Sequence, residues 1–100
     1  MNYAFHPEAL TEFEQATRYF SDIQSALGLR FVASVESAIG RILESPAAFR
    51  PFEPGVRRCL THIFPYALLY SVESDHILIL AVMHCRREPG YWRIRAQQKI

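Results

Sequence analysis

One hundred residues, half of them apolar, suffice for one globular domain, because a chain of this size buries roughly 65% of the surface its unfolded form exposes. That apolar share excludes a disordered chain, the lack of any apolar run near the roughly 18 residues a bilayer demands excludes a spanning helix, and a net charge of +1 argues against nonspecific nucleic-acid binding. The charge is unevenly divided: residues 1–53 hold four arginines against seven carboxylates, a net −3, and residues 54–100 hold seven cations against three carboxylates, a net +4, which suggests a surface facing an anionic or acidic partner.

In chain order, Met1 to Pro7 has neither the basic start nor the apolar stretch of a signal peptide, so a cytoplasmic protein without membrane contact is expected. Tyr3 to His6, stopped by Pro7, reads as a short edge strand, with the proline opening a helix. Leu10, Phe13, Ala16, Phe20 and Ile23 recur at helical spacing, while Glu8, Glu12 and Glu14 load the first turns with the sign the helix dipole favours and read as a solvated face. The pattern breaks near Ser25 to Gly28, resumes through Phe31, Val32, Val35, Ile39, Ile42 and Leu43, and stops at Ser45-Pro46. Two such helices form an antiparallel hairpin whose apolar stripes need a third surface.

Pro46 to Gly55, with three prolines and a glycine, reads as a loop pinned to the body by Phe49 and Phe52. Val56 to Phe64, Pro65 to Glu73 and His76 to Cys85 read as a three-stranded antiparallel meander, with Ser74-Asp75 as a tight turn. The last of these is apolar on both faces, which suits a central strand covered on each side. The expected fold class is α+β: a short edge strand, a two-helix hairpin and the meander, the helices on one face of the sheet, then a basic aromatic tail, all one domain over residues 1–100. A four-stranded sheet with two helices covers one face only, so the other should expose apolar groups for an extended or helical partner segment. Cys59 and Cys85 fall in predicted strands and read as buried free thiols. Four histidines without acidic or cysteine partners at ligand spacing make no metal site, and no cofactor is implied.

Candidate function concentrates at the end of the chain. The apolar run from Ile77 to Met83 leads into His84-Cys85-Arg86-Arg87-Glu88-Pro89-Gly90-Tyr91-Trp92-Arg93-Ile94-Arg95, so a buried strand delivers arginines, a histidine and two aromatics to one edge of the fold. Cations that close repel one another, and the usual reason to gather them on a rigid element is an anionic or polar partner. Arg57, Arg58, His84, Arg86, Arg87, Tyr91, Trp92, Arg93 and Arg95 are therefore the candidate target-binding residues. Each has a structural reading beside the functional one. His84 at a strand end is commonly a hydrogen-bonded structural residue, Tyr91 and Trp92 can pack the tail onto the sheet, and Arg86 or Arg87 can pair with Glu88, Glu53 or Glu73. Arginines left exposed would contribute about 0 to 1 kcal/mol to stability.

The element order, Phe64-Pro65-Tyr66-Ala67-Leu68-Leu69-Tyr70 on the middle strand and the segment from His84 to Arg93 together resemble the RelE/ParE toxin superfamily of bacterial type II toxin-antitoxin systems. Phe5-His6-Pro7-Glu8-Ala9, Tyr19-Phe20, Leu27-Gly28-Leu29-Arg30-Phe31 and Ser45-Pro46 match as well, so the resemblance covers the whole chain. It implies a growth-inhibiting toxin, of the kind tied to plasmid stabilisation, neutralised by a small antitoxin protein and reaching DNA only through it. Members of the superfamily either cut messenger RNA on the ribosome, as RelE-like enzymes do, or inhibit DNA gyrase, as ParE-like proteins do. Metal-free RNA cleavage needs a base for the 2′-hydroxyl, cations for the phosphorane and an acid for the leaving oxygen, roles open to Arg58, His84, Arg87 and Tyr91 if the strands bring them together. RelE-like enzymes carry several lysines and arginines on the middle of the sheet, whereas Lys99 is the only lysine here, and the tail resembles the ParE-type branch. Gyrase is thus favoured over ribosome and messenger, with a homologue that has lost toxicity or a nucleic-acid-binding module as the remaining classes.

Overall fold

The computed structural model describes residues 1–88 and 90–98. Strand β1 (Asn2–Phe5) is followed by helices α1 (Pro7–Ile23) and α2 (Ser25–Glu44), strands β2 (Arg50–Glu53), β3 (Val56–Leu60), β4 (Tyr66–Val72) and β5 (His76–His84), and a short helix α3 (Arg93–Gln97). Pro7 opens α1 where its missing N–H costs nothing, and His6 caps the helix, its Nδ1 accepting the Glu8 N–H at 3.2 Å. Gln24 alone, in extended conformation, separates α1 from α2. The helices then pack closely enough that a Cβ on Gly28 would collide with the Ser21 side chain.

The five strands form one sheet in the order β1-β5-β4-β3-β2, with β1 parallel to β5 and the other pairs antiparallel. One expectation is corrected here and another holds. The segment read as loop between Pro46 and Gly55 holds β2, whose pairing is supplied by β3, as Arg50 opposite Arg58 and Pro51 opposite Arg57. The strand expected to be covered on each side, β5, lies between β1 and β4 and is buried on both faces, as expected. The Ser74-Asp75 turn closes as expected, with the Glu73 N–H donating to the His76 carbonyl at 2.8 Å.

On the helix side of the sheet, Phe31, Val35, Ile39 and Ile42 of α2 pack against Leu68, Tyr70, Ile77 and Ile79. A β-bulge sets Leu69 opposite Ala81 but Tyr70 opposite Ile79, so Leu80 is an extra residue on β5, and Leu80 and Ala81 both turn to the other face. Part of that face was expected to expose apolar groups, and apart from Leu60 at the end of β3, 50% exposed, its centre is covered. Leu69, Leu78 and Leu80 are buried beneath Trp92, Tyr91 and Ala96, because the tail folds back across the sheet. A third layer thus forms from the segment that looked most like a binding site. Cys59 is buried and Cys85 is exposed in the turn after β5, so only the first fits the expectation of a buried thiol. Among the described residues no helix is long and apolar enough to cross a membrane.

Candidate functional site

Pairing between β1 and β5 ends at Phe5 opposite Ile79, with the His6 N–H closing the last rung on the Ile79 carbonyl at 2.9 Å. Beyond that rung no strand among the described residues lies beside this edge of β5, and its backbone groups need other partners. Glu12 of α1 and Arg95 of α3 provide them. The Val82 N–H donates to Glu12 Oε1 at 2.9 Å and Arg95 Nη1 donates to the Leu80 carbonyl at 3.0 Å. The two side chains also meet as a fork, Arg95 Nη1 and Nη2 each 3.0 Å from one Glu12 oxygen, with side-chain exposures of 6% and 12%. Glu8 approaches Arg95 Nε at 3.9 Å, and Arg87 Nη1 stands 3.8 Å from Glu12. The Tyr91 ring lies against both guanidiniums, 3.7 Å from that of Arg87 and 5.0 Å from that of Arg95.

Burial, reinforced by the Glu12 carboxylate, pushes the Tyr91 phenol well above its ordinary value. For Arg95 burial pulls downward, but Glu12 outweighs it, so the guanidinium is held above its ordinary value. Both shifts lead away from neutrality. A general acid or base works best with a pKa near the operating pH, and neither group can alternate protonation states there.

The other candidates lie elsewhere. Arg93 binds Glu53 of β2 through Nε at 2.9 Å and Nη2 at 2.8 Å. Trp92, 1% exposed, packs with its ring 5.9 Å from that of Phe52, whose ring also lies 5.5 Å from the Arg58 guanidinium. Arg57, on the helix side of β3, donates to the Phe49 carbonyl at 2.7 Å and so anchors the 46–55 segment. His84, at the end of β5, meets Tyr66 edge-on at 5.2 Å and accepts the Arg86 N–H on Nδ1 at 3.0 Å. The strand ends at His84, so Arg86 and Arg87 sit in the turn that follows, and the Arg86 side chain has no ion-pair partner among the described residues. Arg87, Tyr91 and Arg95 are thus together beside Glu12, Arg58, Trp92 and Arg93 are gathered by Phe52 and Glu53, and the His84 ring meets Tyr66 while its carbonyl accepts the Arg87 N–H at 2.9 Å. Among Arg58, His84, Arg87 and Tyr91, the four residues suited to RNA cleavage, the side chains in contact are those of Arg87 and Tyr91, and Arg87 meets His84 through the backbone.

Sequence reasoning missed Glu12, which was read as part of a solvated face. The signal lay in its neighbours: Ala9 and Ala16, three before and four after it, are buried at 0% and 8% exposure, whereas Leu10, taken as part of the stripe, is 41% exposed. Small residues flanking a glutamate on one helical face mark close approach, and only a paired carboxylate fits there. Among the described residues no group of three or more histidines, cysteines, aspartates or glutamates is placed to hold a metal ion.

A family model described as the ParE toxin of the type II toxin-antitoxin system parDE matches residues 3–89. Among solved structures, a chain of the chromosomal ParDE TA system from P. aeruginosa superposes with a TM-score of 0.72, covering 84% of this chain and 95% of that one at 17% identity, a likeness of fold. No curated protein matches the chain.

Proposed function

We propose that this chain, which belongs to the ParE toxin family of type II toxin-antitoxin systems, arrests bacterial growth by inhibiting DNA gyrase and is neutralised by a cognate antitoxin. The observation that carries the choice of target is that, of Arg58, His84, Arg87 and Tyr91, Arg87 and Tyr91 are the pair in side-chain contact, with Arg87 also 3.8 Å from Glu12, whereas Arg58 lies on Phe52 and the His84 ring on Tyr66. Metal-free RNA cleavage requires base, acid and phosphorane-stabilising cations around one phosphate. A toxin that acts by binding a protein needs no such convergence. For the antitoxin, the face now covered by the tail is replaced by a groove of about 810 Å³ beside β2, lined by Pro46, Pro51, Phe52, Val56 and Val72 among others, which suits the apolar anchors of an extended segment.

Two reactions test the target in parallel: gyrase supercoiling, and programmed ribosomes with messenger in the decoding site. Loss of supercoiling or trapped cleavage complexes in the first, with intact messenger in the second, is expected. Codon-positioned cuts in the messenger would overturn the choice of target. Arrest of growth on expression, relieved by a neighbouring short reading frame, tests the toxin reading itself.

A further inference from the structure

The turn between β3 and β4 contains a residue that folding alone does not explain. Ile63 has φ of 76°, and among the described residues it is the only one other than glycine in the left-handed region. A β-branched side chain is strained there, where glycine or asparagine would sit easily. The same side chain is 78% exposed, so the strain is not offset by burial.

The surrounding turn holds Ile63 rigidly in this state. Thr61 donates from its N–H to the Tyr66 carbonyl and from Oγ1 to the Phe64 carbonyl, both at 2.9 Å. Ser34 Oγ on α2 donates to the His62 carbonyl at 2.6 Å, and the Cys85 N–H donates to the Pro65 carbonyl at 2.8 Å. The Phe64 ring is packed between Phe20 at 4.9 Å and Phe31 at 5.2 Å. The residues on either side of Ile63 are thereby fixed and its side chain is aimed outward. Of the arginines without ion-pair partners among the described residues, one is tied to the same turn by its side chain and one through the backbone of the residue before it. Arg41 Nη2 donates to the Leu60 carbonyl at 3.1 Å, and Arg86 follows Cys85 directly.

We infer that Ile63 is a docking knuckle, which inserts into an apolar socket ringed by acidic residues on the folded protein this toxin inhibits. This rests on the toxin reading given above. Strained positions that the surrounding structure over-determines concentrate at ligand clamps and contact sites, and the unpaired Arg41 and Arg86 supply the complement to an acidic rim. The shape selects the partner. An extended antitoxin segment brings its own anchors to grooves on this chain, whereas a convex knuckle needs a socket already formed on a folded surface.

The test is Ile63→Gly, with melting temperature and growth arrest measured on the full chain beside the wild type. Glycine relieves the strain and removes the side chain, so the variant melts higher than the wild type while about tenfold or more protein is needed for the same arrest. Ile63→Asp arrests growth no better than Ile63→Gly. Undiminished arrest by a folded Ile63→Gly overturns the inference, as does lost arrest accompanied by a lower melting temperature. Retained arrest with lost neutralisation by the neighbouring antitoxin overturns the choice of partner. If the wild type itself fails to arrest growth, the toxin reading falls and the knuckle falls with it, whereas a failure confined to the variant comparison removes the knuckle alone.

Discussion

The Glu12–Arg95 fork should behave as a buried ion pair that fastens the tail, and a double-mutant cycle measures it. Arg95→Met removes the guanidinium and leaves Glu12, 12% exposed, with the Val82 N–H and the more distant Arg87 as its remaining partners. Stripping one member from a buried pair costs about 3–5 kcal/mol. Arg87 is half exposed and free to close on Glu12, which places the expected loss near the lower end, about 3 kcal/mol. At about 4–8 °C per kcal/mol for a domain of this size, the melting temperature falls by about 12–24 °C. Glu12→Gln keeps an oxygen for the Val82 N–H but loses the charge, leaving Arg95 with the Leu80 carbonyl and Glu8 at 3.9 Å. Because each single change orphans the same contact, the double variant should be more stable than the sum of the singles implies by about 2 kcal/mol. Circular dichroism follows the helices, and the fluorescence of Trp92, the sole tryptophan, follows the tail against the sheet. A fall under about 4 °C for Arg95→Met, which corresponds to the 1 kcal/mol ceiling of an exposed pair, or strictly additive singles, would refute the buried-clamp reasoning.

Two further outcomes follow from the packing. Cys85 should react at once with a thiol reagent and Cys59 only after unfolding, since Cys59 is fully buried and burial pushes its thiol above the ordinary value, against a smaller opposing pull from Arg41; two fast thiols in the native protein would contradict the core. Gly28→Ala should lower the urea midpoint by an amount equivalent to about 1–3 kcal/mol, despite the higher helix propensity of alanine, because the new Cβ meets the Ser21 backbone at 3.0 Å as well as its movable hydroxyl. A stabilised variant would show that α1 and α2 have room to separate.

Periodicity made the two long helices, the β4–β5 hairpin and its Ser74-Asp75 turn legible, because each buries a repeating apolar face that local spacing encodes. Strand β2 was not legible: four residues including Pro51 have no strand signal of their own, and the pairing comes from β3, which the sequence does not announce. The stripe of α1 holds at Phe13, Ala16 and Phe20 and fails at its ends, Leu10 and Ile23, since leucine outranks alanine as a core former by composition, whereas close packing against β5 favours Ala9 over Leu10. The bulge at Leu80 was likewise invisible, and it is the bulge that turns two consecutive apolar residues toward the tail.

Part of the charge division between the halves is answered within the chain rather than by an external partner. Arg87 and Arg95 pair with Glu12, Arg95 approaches Glu8, and Arg93 pairs with Glu53, so every one of these contacts joins the basic second half to the acidic first half. Such complementarity orders the tail onto the body much as it would order a separate partner, and sequence alone cannot tell an intramolecular acceptor from an external one. It follows that lost growth arrest in Arg95 or Trp92 variants carries no information about target contact, because both side chains are buried and their loss uncovers Leu69, Leu78 and Leu80. Among the tail arginines, Arg86 is the one with no ion pair among the described residues, so a loss of arrest at Arg86 with an unchanged melting temperature is evidence of contact that Arg87, Arg93 and Arg95 cannot supply.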